Sequence, residues 1–306
     1  METLICLVRH GVTEWNYDGR AQGRTDIPLS SEGLQQAEAV AARLAREPWD
    51  AIYSSTLSRA RQTAEAIARL TGHEVRQDPR LVERHMGVTE GFTLYERRQR
   101  WPGANLMDLA GVETDEAMAL RAMAVLTEIA ERHRGQRVVC VSHGGLIKAF
   151  VDTLPRLTDD APQRIGVGNT AVAMLVYTDG QFTVQSLPDH SHLLGDGVDY
   201  TGEKSRVQFS RLAGLSAITG IPAEKLEPVI VRATAVESAW VNGQLVGFAR
   251  LFTDGVVAGY VDLAVALPEY QQVIPTLLKR LQARYPDVTI TQIPLPVDVS
   301  EERASD

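Results

Sequence analysis

The sequence is poor in cysteine and has no long apolar run. Only two of its 306 residues are cysteines, Cys6 and Cys140, and each lies inside a short apolar run typical of a buried strand. A disulfide framework or a cysteine-built metal site is therefore not expected. No stretch approaches the about 18 apolar residues of a membrane span, and the first residues lack the basic segment of a signal peptide. We expect a cytoplasmic protein with reduced thiols.

The chain also lacks an excess of positive charge. It carries 31 basic and 39 acidic residues, a formal net charge of −8. This balance argues against a bulk attraction to nucleic acid or to an anionic membrane, so neither is expected as a partner. Positive charge that binds an anion must therefore be local. At roughly 150 residues per domain, the length predicts two domains.

The first part of the chain alternates strands and helices. An apolar strand, Leu4–Val8, is followed by a helix whose apolar face is predicted from five residues: Leu34, Ala37, Val40, Ala41 and Leu44. A second strand at 51–55 precedes a helix at 59–70, and a long helix at 115–134 precedes the buried strand Arg137–Ser142. This order predicts an α/β fold of three layers, α/β/α, around a mostly parallel sheet.

A composition change divides the chain near residue 200. A hairpin around Asp179-Gly180 closes the first domain, and the glycine-rich, charged segment 194–204 is the candidate linker. We assign residues 1–200 to the first domain and 205–306 to a smaller α+β domain. The latter begins with three predicted strands joined by tight turns at Asn242-Gly243 and Asp254-Gly255.

Candidate catalytic residues follow the predicted parallel strands. Arg9-His10-Gly11 ends the first strand, and Ser142-His143-Gly144 ends the last parallel one. Arg59 begins the helix after the second strand, and Glu83 lies in an irregular segment. Residues after parallel strands project to one sheet edge, so these groups are expected to converge.

This set of side chains suits the hydrolysis of a phosphate monoester. The reaction needs charge neutralised on three oxygens, an in-line nucleophile and a proton for the departing alkoxide. Arg9, Arg59 and His143 can supply the first, while His10 can supply the nucleophile and Glu83 the proton. Gly11 and Gly144 allow the backbone to approach the phosphate closely.

These motifs, in this order, resemble the histidine phosphatase superfamily, also called phosphoglycerate mutase-like, in its phosphatase branch. The resemblance covers roughly residues 1–195 and includes the runs 7–16, 22–24 and 54–64, Glu83, Glu90-Gly91 and 142–144. It implies the phosphoglycerate mutase-like fold and a histidine acid-type phosphatase, a phosphoric monoester hydrolase that needs neither cofactor nor metal. Its substrate would be a small phosphorylated metabolite.

The resemblance also assigns roles to residues. It implies a phosphohistidine nucleophile at His10, a phosphate pocket of Arg9, Arg59 and His143, and a proton donor at Glu83. Asn16 and Gln22 match positions that add hydrogen bonds to the phosphate. The family's aromatic residue before Glu90-Gly91 is replaced by Val88-Thr89, so the substrate pocket is expected to differ in shape.

Two other functions remain open. A mutase would use the same residues, but mutases of this family insert a longer segment between the acid and the second histidine, and here Glu83 and His143 are only 143 − 83 = 60 positions apart. We therefore favour an open site where water completes the reaction. A phospho-ligand binding module with a vestigial site is the alternative from another class.

Several polar residues have an alternative structural interpretation. Four arginines add charge that could recognise a second acidic group: Arg84, Arg97, Arg98 and Arg100. Those at 97–100 could equally form a solvated helix face. Glu83 could pair with a neighbouring arginine, and Asn16 and Gln22 could only shape loops. His190 and His192 are interpreted as local hydrogen-bonding residues rather than metal ligands.

Residues from about 205 onward resemble part of a GNAT acyltransferase fold. The resemblance rests on the strand with Val246–Gly255, the strand ending at Val265–Gln271 and the following helix. Such enzymes hold the coenzyme A pyrophosphate on a glycine-rich turn, whereas this turn has no glycine and includes Pro275, which lacks an N–H. We expect a truncated, non-catalytic GNAT-like domain whose exposed sheet edge favours a homodimer.

Overall fold

The chain divides into two compact units, Met1–Gly195 and Asp196–Asp306. A computed structural model describes residues 1–155, 166–194, 197–202, 204, 216, 221–222, 225–226, 230, 232–241, 244–253 and 258–292. The division lies a few residues before the predicted boundary at 200. The candidate linker contains the short strand Asp199–Thr201, which pairs into the sheet of the second unit. The turns predicted at 242–243 and 254–255 lie outside the described residues.

The first unit is built around a six-stranded sheet. Its strands are β1 (Thr3–Arg9), β2 (Ala51–Ser54), β3 (Val75–Gln77), β4 (Arg137–Ser142), β5 (Val172–Thr178) and β6 (Gln181–Asp189), in the order β3-β2-β4-β1-β5-β6. The first four in this order are parallel, whereas β5 and β6 form an antiparallel hairpin at one edge. The predicted mixed α/β fold with mostly parallel strands is confirmed.

Six α-helices accompany this sheet in the described part of the unit: α1 (Glu14–Asp18), α2 (Ser31–Leu44), α3 (Ser58–Thr71), α4 (Leu94–Arg100), α5 (Asp115–Arg132) and α6 (Gly144–Val151). Side chains alternate across β1, so that Ile5 and Leu7 pack with α5 and α6 on one face. Cys6 and Val8 pack with α2 and α3 on the other face. Both faces of β1, β2 and β4 are buried, which explains the uninterrupted apolar runs in these strands.

One predicted core position is wrong. Leu34 is 49% exposed, because the inward position in the first turn of α2 is taken by Gly33. A Cβ atom at Gly33 would lie only 2.0 Å from the Val12 carbonyl oxygen, so glycine lets α2 approach the loop that follows β1. The close contact fixes this loop against α2, two residues after His10, the nucleophile candidate.

Strand register brings the candidate residues to one sheet edge. Arg9 pairs with Ser142 at the carboxyl ends of β1 and β4. Beyond this pair, the His10 N–H donates to the Ser142 carbonyl at 3.0 Å, and the Ser55 N–H donates to the Val141 carbonyl at 3.0 Å. Residues from three neighbouring strands therefore leave the sheet side by side.

The second unit contains a five-stranded sheet and a helix. Its strands are β7 (Asp199–Thr201), β8 (Ala235–Val241), β9 (Gln244–Thr253), β10 (Ala258–Ala266) and β11 (Thr289–Gln292), with α7 (Val273–Arg284) between the last two. Strands β7 to β10 pair antiparallel in chain order, and β11 pairs parallel to β10. Val273, Leu277 and Leu281 of α7 are fully buried against this sheet.

Among the helices in the described parts of the chain, none combines the length and apolar character that crossing a bilayer would need.

Candidate active site

His10 is a buried imidazole whose tautomer is set by the backbone. It is 3% exposed, and its Nδ1 lies 2.6 Å from the Gly11 carbonyl oxygen. Because a carbonyl oxygen only accepts hydrogen bonds, Nδ1 must carry the proton, and the Nε2 lone pair remains for another reaction partner. Burial, with the nearby Arg59 and Arg9 charges, holds the pKa of His10 well below its usual range. The ring is therefore neutral at physiological pH.

Arg59 is fully buried beside this ring. Its guanidinium donates to two carbonyl oxygens of the loop before α2, those of Gly23 at 2.8 Å and Thr25 at 2.9 Å. Its Nε is buried and has no hydrogen-bond partner among the described residues. Burial lowers the pKa of Arg59 to about 10, so the side chain keeps its charge at neutral pH. The carbonyl contacts orient a cation without neutralising it.

Arg9, the second arginine near His10, is oriented by a backbone carbonyl of the segment before β5. Its guanidinium donates to the Val167 carbonyl at 2.8 Å. A Cβ atom at Gly144 would lie 3.2 Å from Arg9 Nε, so the absence of a side chain at the start of α6 leaves room for the arginine. Gly11 and Gly144 therefore both lie next to candidate catalytic side chains: the Gly11 carbonyl bonds to His10, and Gly144 packs against Arg9.

His143 lies next to His10, with 5.1 Å between the ring centroids. It is fully buried, and its Nε2 lies 2.8 Å from the Ser55 hydroxyl. Its Nδ1 is buried with no hydrogen-bond partner among the described residues. Burial and the Arg59 charge hold the pKa of His143 well below its usual range. If the Ser55 hydroxyl donates to Nε2, Nδ1 carries the proton and can donate to an anion.

Glu83 reaches the amino end of α6. Its Oε2 accepts from the Gly145 N–H at 3.0 Å and its Oε1 accepts from the Arg84 N–H at 2.8 Å. A Cβ atom at Gly145 would lie 2.4 Å from Oε1, so glycine is required for this contact. Glu83 and Arg59 also interact electrostatically. The predicted alternative, a surface ion pair with Arg80 or Arg84, does not form: Arg80 pairs with Asp78 and Glu128, and Arg84 with Asp115.

Gln22 and Asn16 differ in how they are used. The Gln22 Oε1, a hydrogen-bond acceptor, is buried without a partner among the described residues. The Asn16 Oδ1 accepts from the Thr13 N–H and hydroxyl, both at 3.0 Å, and closes a capping box at the start of α1. This capping contact matches the predicted loop-forming role of Asn16.

The arginines at 97–100 form the last turn of α4. Arg97 Nε donates to the Thr93 carbonyl at 3.3 Å, and Arg100 lies over the rings of Phe92 and Trp101 at 5.4 and 5.6 Å. Arg84, in the segment after Glu83, donates to the Glu113 carbonyl at 2.7 Å. These contacts fix the segment that follows Glu83 in the sequence, residues 84–101.

His192 hydrogen-bonds to Arg43 and Thr170, which lie 149 and 22 positions away in the sequence, so its bonds are tertiary rather than local. The described residues contain no cluster of His, Cys, Asp and Glu that could hold a metal.

Several supporting residues were not identified from the sequence. Glu90 accepts from the N–H groups of Arg24, Thr25 and Met86, at 3.0 to 3.1 Å, and fixes the loop whose carbonyls hold Arg59. Thr63 accepts from the Gly11 N–H at 3.1 Å. Glu90 lies in the motif Glu90-Gly91 and Thr63 in the run 54–64. The hydrogen-bond partners of both residues depend on the tertiary fold.

The arrangement can bind a tetrahedral anion between cations and present a nucleophile to it. Two guanidiniums and the His143 ring lie near His10, at the amino end of α6. Helix amino ends and arginines are the groups proteins use to hold phosphate. A neutral imidazole in this position can attack phosphorus, and a carboxyl group is available to move a proton.

Comparisons with known proteins agree with this geometry. Residues 5–190 match the Histidine phosphatase superfamily (branch 1). The chain is 36% identical over 206 residues to the "Metal-independent phosphoserine phosphatase" of Arabidopsis thaliana, covering 64% of this chain and 85% of that protein. It is 34% identical over 208 residues to the "Probable phosphoglycerate mutase GpmB" of Escherichia fergusonii, covering 64% and 97%.

A solved structure shares the fold of the first unit. The phosphoserine phosphatase of Entamoeba histolytica, crystallised as a mutant with phosphoserine, superposes with a TM-score of 0.54 at 30% identity. The alignment covers 63% of this chain and all of the other, 100%.

The buried histidines predict a loss of stability in mild acid. His10, His143 and His192 have depressed pKa values in the folded protein, that of His192 falling to about 4 through burial and the Arg43 charge. Below pH 6.5, the ordinary histidine value, the unfolded chain binds protons that the folded chain does not. The free energy of unfolding should fall between about pH 6.5 and 5, by up to about 1.4 kcal/mol per pH unit for each histidine.

Urea unfolding at several pH values measures this slope. The His192→Gln variant should show a shallower slope, because one titrating group has been removed from both states. An identical slope in this variant would contradict the assignment of a buried neutral imidazole at His192.

Proposed function

We propose that this chain, which belongs to the histidine phosphatase superfamily (branch 1), is a phosphatase that hydrolyses phosphate monoesters of small metabolites through a phosphohistidine at His10. The observation that carries the proposal is the state of His10: a neutral, buried ring with its proton on Nδ1 and two arginines beside it. The relatives named phosphatases agree with the reaction class. We further propose that it is a histidine acid-type enzyme, independent of cofactors and of metals, and that it works in the cytoplasm.

In the first step, the His10 Nε2 attacks phosphorus. A P–N bond forms and the ester P–O bond breaks, while Arg9, Arg59 and the His143 Nδ1–H stabilise the charge on the three phosphoryl oxygens. Gln22, through its side-chain NH2 group, donates a hydrogen bond to the same phosphoryl group, and Asn16 lies in α1, which follows the nucleophile loop. The Gly11 carbonyl accepts the hydrogen bond from Nδ1–H throughout and stabilises the positive charge that develops on the ring.

Glu83 completes both steps. It gives a proton to the departing alkoxide, so that an alcohol is released, and then takes a proton from the water that attacks the phosphohistidine. The second attack breaks the P–N bond, releases inorganic phosphate and restores neutral His10. The bonds from Gly145 and Arg84 orient the carboxyl group for this exchange.

Hydrolysis is favoured over mutase chemistry by the short segment that covers the site. Between Glu83 and His143 the described chain contains α4, α5 and β4, joined by the segments 84–93, 101–114 and 133–136. Because α5 and β4 belong to the core, a cover that excludes water from the phosphohistidine would have to be built from residues 84–114. A mutase, or a binding module with a vestigial site, is the alternative outcome of the experiments below.

For the second unit we propose a non-catalytic, GNAT-like domain that dimerises. Val273, in the turn where an acyltransferase would cradle a pyrophosphate, is fully buried, and it lies against Gly247, where a Cβ atom would be 2.5 Å from its Cγ2. This packing closes the space around the turn. In the described sheet β11 lies at one edge, with three of its four residues exposed, and can pair with a second copy.

His10→Ala should abolish turnover. We expect phosphate release from phosphoserine, 3-phosphoglycerate or p-nitrophenyl phosphate to fall about 10³-fold or more, because the nucleophile is lost. EDTA should leave the wild-type rate unchanged. Turnover also predicts a phosphoryl label on wild-type His10 that is stable in alkali and labile in acid.

His73→Ala, at the amino end of β3, is the matched control and should keep the wild-type rate. Full turnover by His10→Ala would contradict the mechanism. Phosphoryl exchange between two positions of 3-phosphoglycerate without net phosphate release would favour the mutase, and phosphate binding without turnover on any monoester would favour a vestigial site.

Glu83→Gln should discriminate between leaving groups. An alkoxide needs a proton to depart, so hydrolysis of phosphoserine should fall by about 10²-fold or more. A nitrophenolate leaves without one, so release of p-nitrophenol in the burst of phosphoenzyme formation should be nearly unchanged. Equal losses in the first step with both substrates would argue against Glu83 as the proton donor.

The full-length protein should be a dimer. Light scattering at micromolar concentration is expected to give twice the chain mass of 33.6 kDa. Thr291→Pro, which disrupts the β11 edge, should give a folded monomer with unchanged phosphatase activity. A monomeric wild-type protein contradicts the dimer, and calorimetric binding of acetyl coenzyme A contradicts a non-catalytic domain.

A further inference from the structure

The carbonyl group of His10 is held by two donors from the segment before β5. The Asn169 side-chain amide donates to it at 3.0 Å and the Thr170 N–H at 3.3 Å. Asn169 is 7% exposed and Thr170 fully buried. Asn169 and Thr170 thus fix the backbone of His10 through two hydrogen bonds to its carbonyl oxygen. We call residues 169–170 the His10 clamp.

The clamp contains the least favourable backbone conformation near the site. Thr170 has φ +52°, in the left-handed region, where a β-branched side chain is a genuine outlier. Such a conformation costs roughly 1–2 kcal/mol and persists only when its surroundings hold it. The strained residue, Thr170, is the same residue whose N–H donates to the His10 carbonyl.

A chain of side-chain bonds holds Thr170 in place. The His192 Nε2 lies 2.9 Å from the Thr170 hydroxyl, and its Nδ1 lies 3.2 Å from an Arg43 guanidinium nitrogen. A guanidinium only donates, so Nδ1 accepts and the proton sits on Nε2, which donates to the hydroxyl. Arg43 is fixed in turn by an ion pair of 2.8 Å with Asp189. His190 is the remaining titratable neighbour of His192.

We propose that Asn169, Thr170 and His192 are positioning residues for the phosphoryl-transfer step, acting through the His10 clamp. They touch neither substrate nor reacting atoms; they fix the backbone from which the imidazole projects. Asn169 and Thr170 lie within residues 5–190, the range that matches the family, and His192 lies two positions past it. The inference rests on the proposed function, because it concerns the same nucleophile.

The positioning role has a specific kinetic expectation. Phosphate binding depends on the side chains of Arg9, Arg59 and His143, whereas the clamp residues act on the backbone of His10. In-line attack depends on the ring position within a fraction of an ångström, and a small misplacement can cost about 10²-fold. Weakening the clamp should therefore lower the rate of phosphoenzyme formation and kcat while leaving KM nearly unchanged.

Thr170→Val and Thr170→Ser form the matched pair. Valine keeps the β-branched shape but cannot accept the bond from His192, whereas serine keeps the hydroxyl. With p-nitrophenyl phosphate under rapid-mixing conditions, we expect the burst rate of Thr170→Val to fall about tenfold or more and that of Thr170→Ser to stay within about twofold of wild type. His192→Gln, which offers an amide N–H, should retain more activity than His192→Phe.

Thr170→Gly separates positioning from stability. Glycine adopts a positive φ at little steric cost, so this variant should fold, with its unfolding measured in parallel, and yet show a burst rate about tenfold lower. An unchanged burst rate in Thr170→Val or Thr170→Gly would overturn the proposal, as would equal losses in Thr170→Val and Thr170→Ser. A rise in KM matching the loss in rate would also overturn it. Absence of activity in the wild-type protein would instead refute the proposed function.

Discussion

The site depends on a buried cation that is held without being neutralised. Arg59 is 0% exposed, yet its hydrogen bonds among the described residues go to the carbonyl oxygens of Gly23 and Thr25 rather than to a carboxylate. Burying a guanidinium costs several kcal/mol unless other groups compensate, and two carbonyl dipoles compensate only in part. The remaining positive potential is available to a doubly charged phosphate, whose binding would offset the cost of burial.

This requirement explains the polar network around the site. The loop with Gly23 and Thr25 must present its carbonyls inward, and Glu90 holds it by accepting from backbone N–H groups. On the other side, Arg121 donates to the carbonyls of Arg80 and Val82 and pairs with Glu113, which fixes the segment carrying Glu83. The carboxylates of Glu90 and Glu113 thus shape the loops that position Arg59 and Glu83.

The sequence predicts the part of this arrangement that follows from local pattern. Buried parallel strands are recognisable as apolar runs, and the residues after them must share an edge, so His10 and His143 could be placed together before their geometry was known. The runs around them are distinctive enough to indicate the family. The bounds of the short helix α4 could not be predicted, because glycines and prolines flank it. Strand β3 could not be predicted, because it has three residues and is mostly exposed.

Residues that support the site through tertiary contacts could not be predicted in the same way. The partner of a buried hydroxyl or amide, as in Thr63 and Asn169, depends on which segments the fold brings together. Leu34 shows the same limit, because its exposure follows from the close approach that Gly33 permits on the next position of the helix. A helical pattern identifies an apolar face but not which turn of it meets a neighbouring loop.

The two buried histidines and the two arginines also form one electrostatic unit. The charges that attract phosphate are the ones that, with burial, depress the pKa values of His10 and His143, so the groups that bind substrate also keep the nucleophile unprotonated. Arrival of a phosphate dianion reverses the local potential and favours positive charge on the His10 ring as the P–N bond forms. The Gly11 carbonyl, already bonded to Nδ1, stabilises that charge without any movement of the protein. Accurate placement of the ring is therefore the remaining requirement, and the contacts behind His10 meet it through backbone groups that the substrate does not disturb.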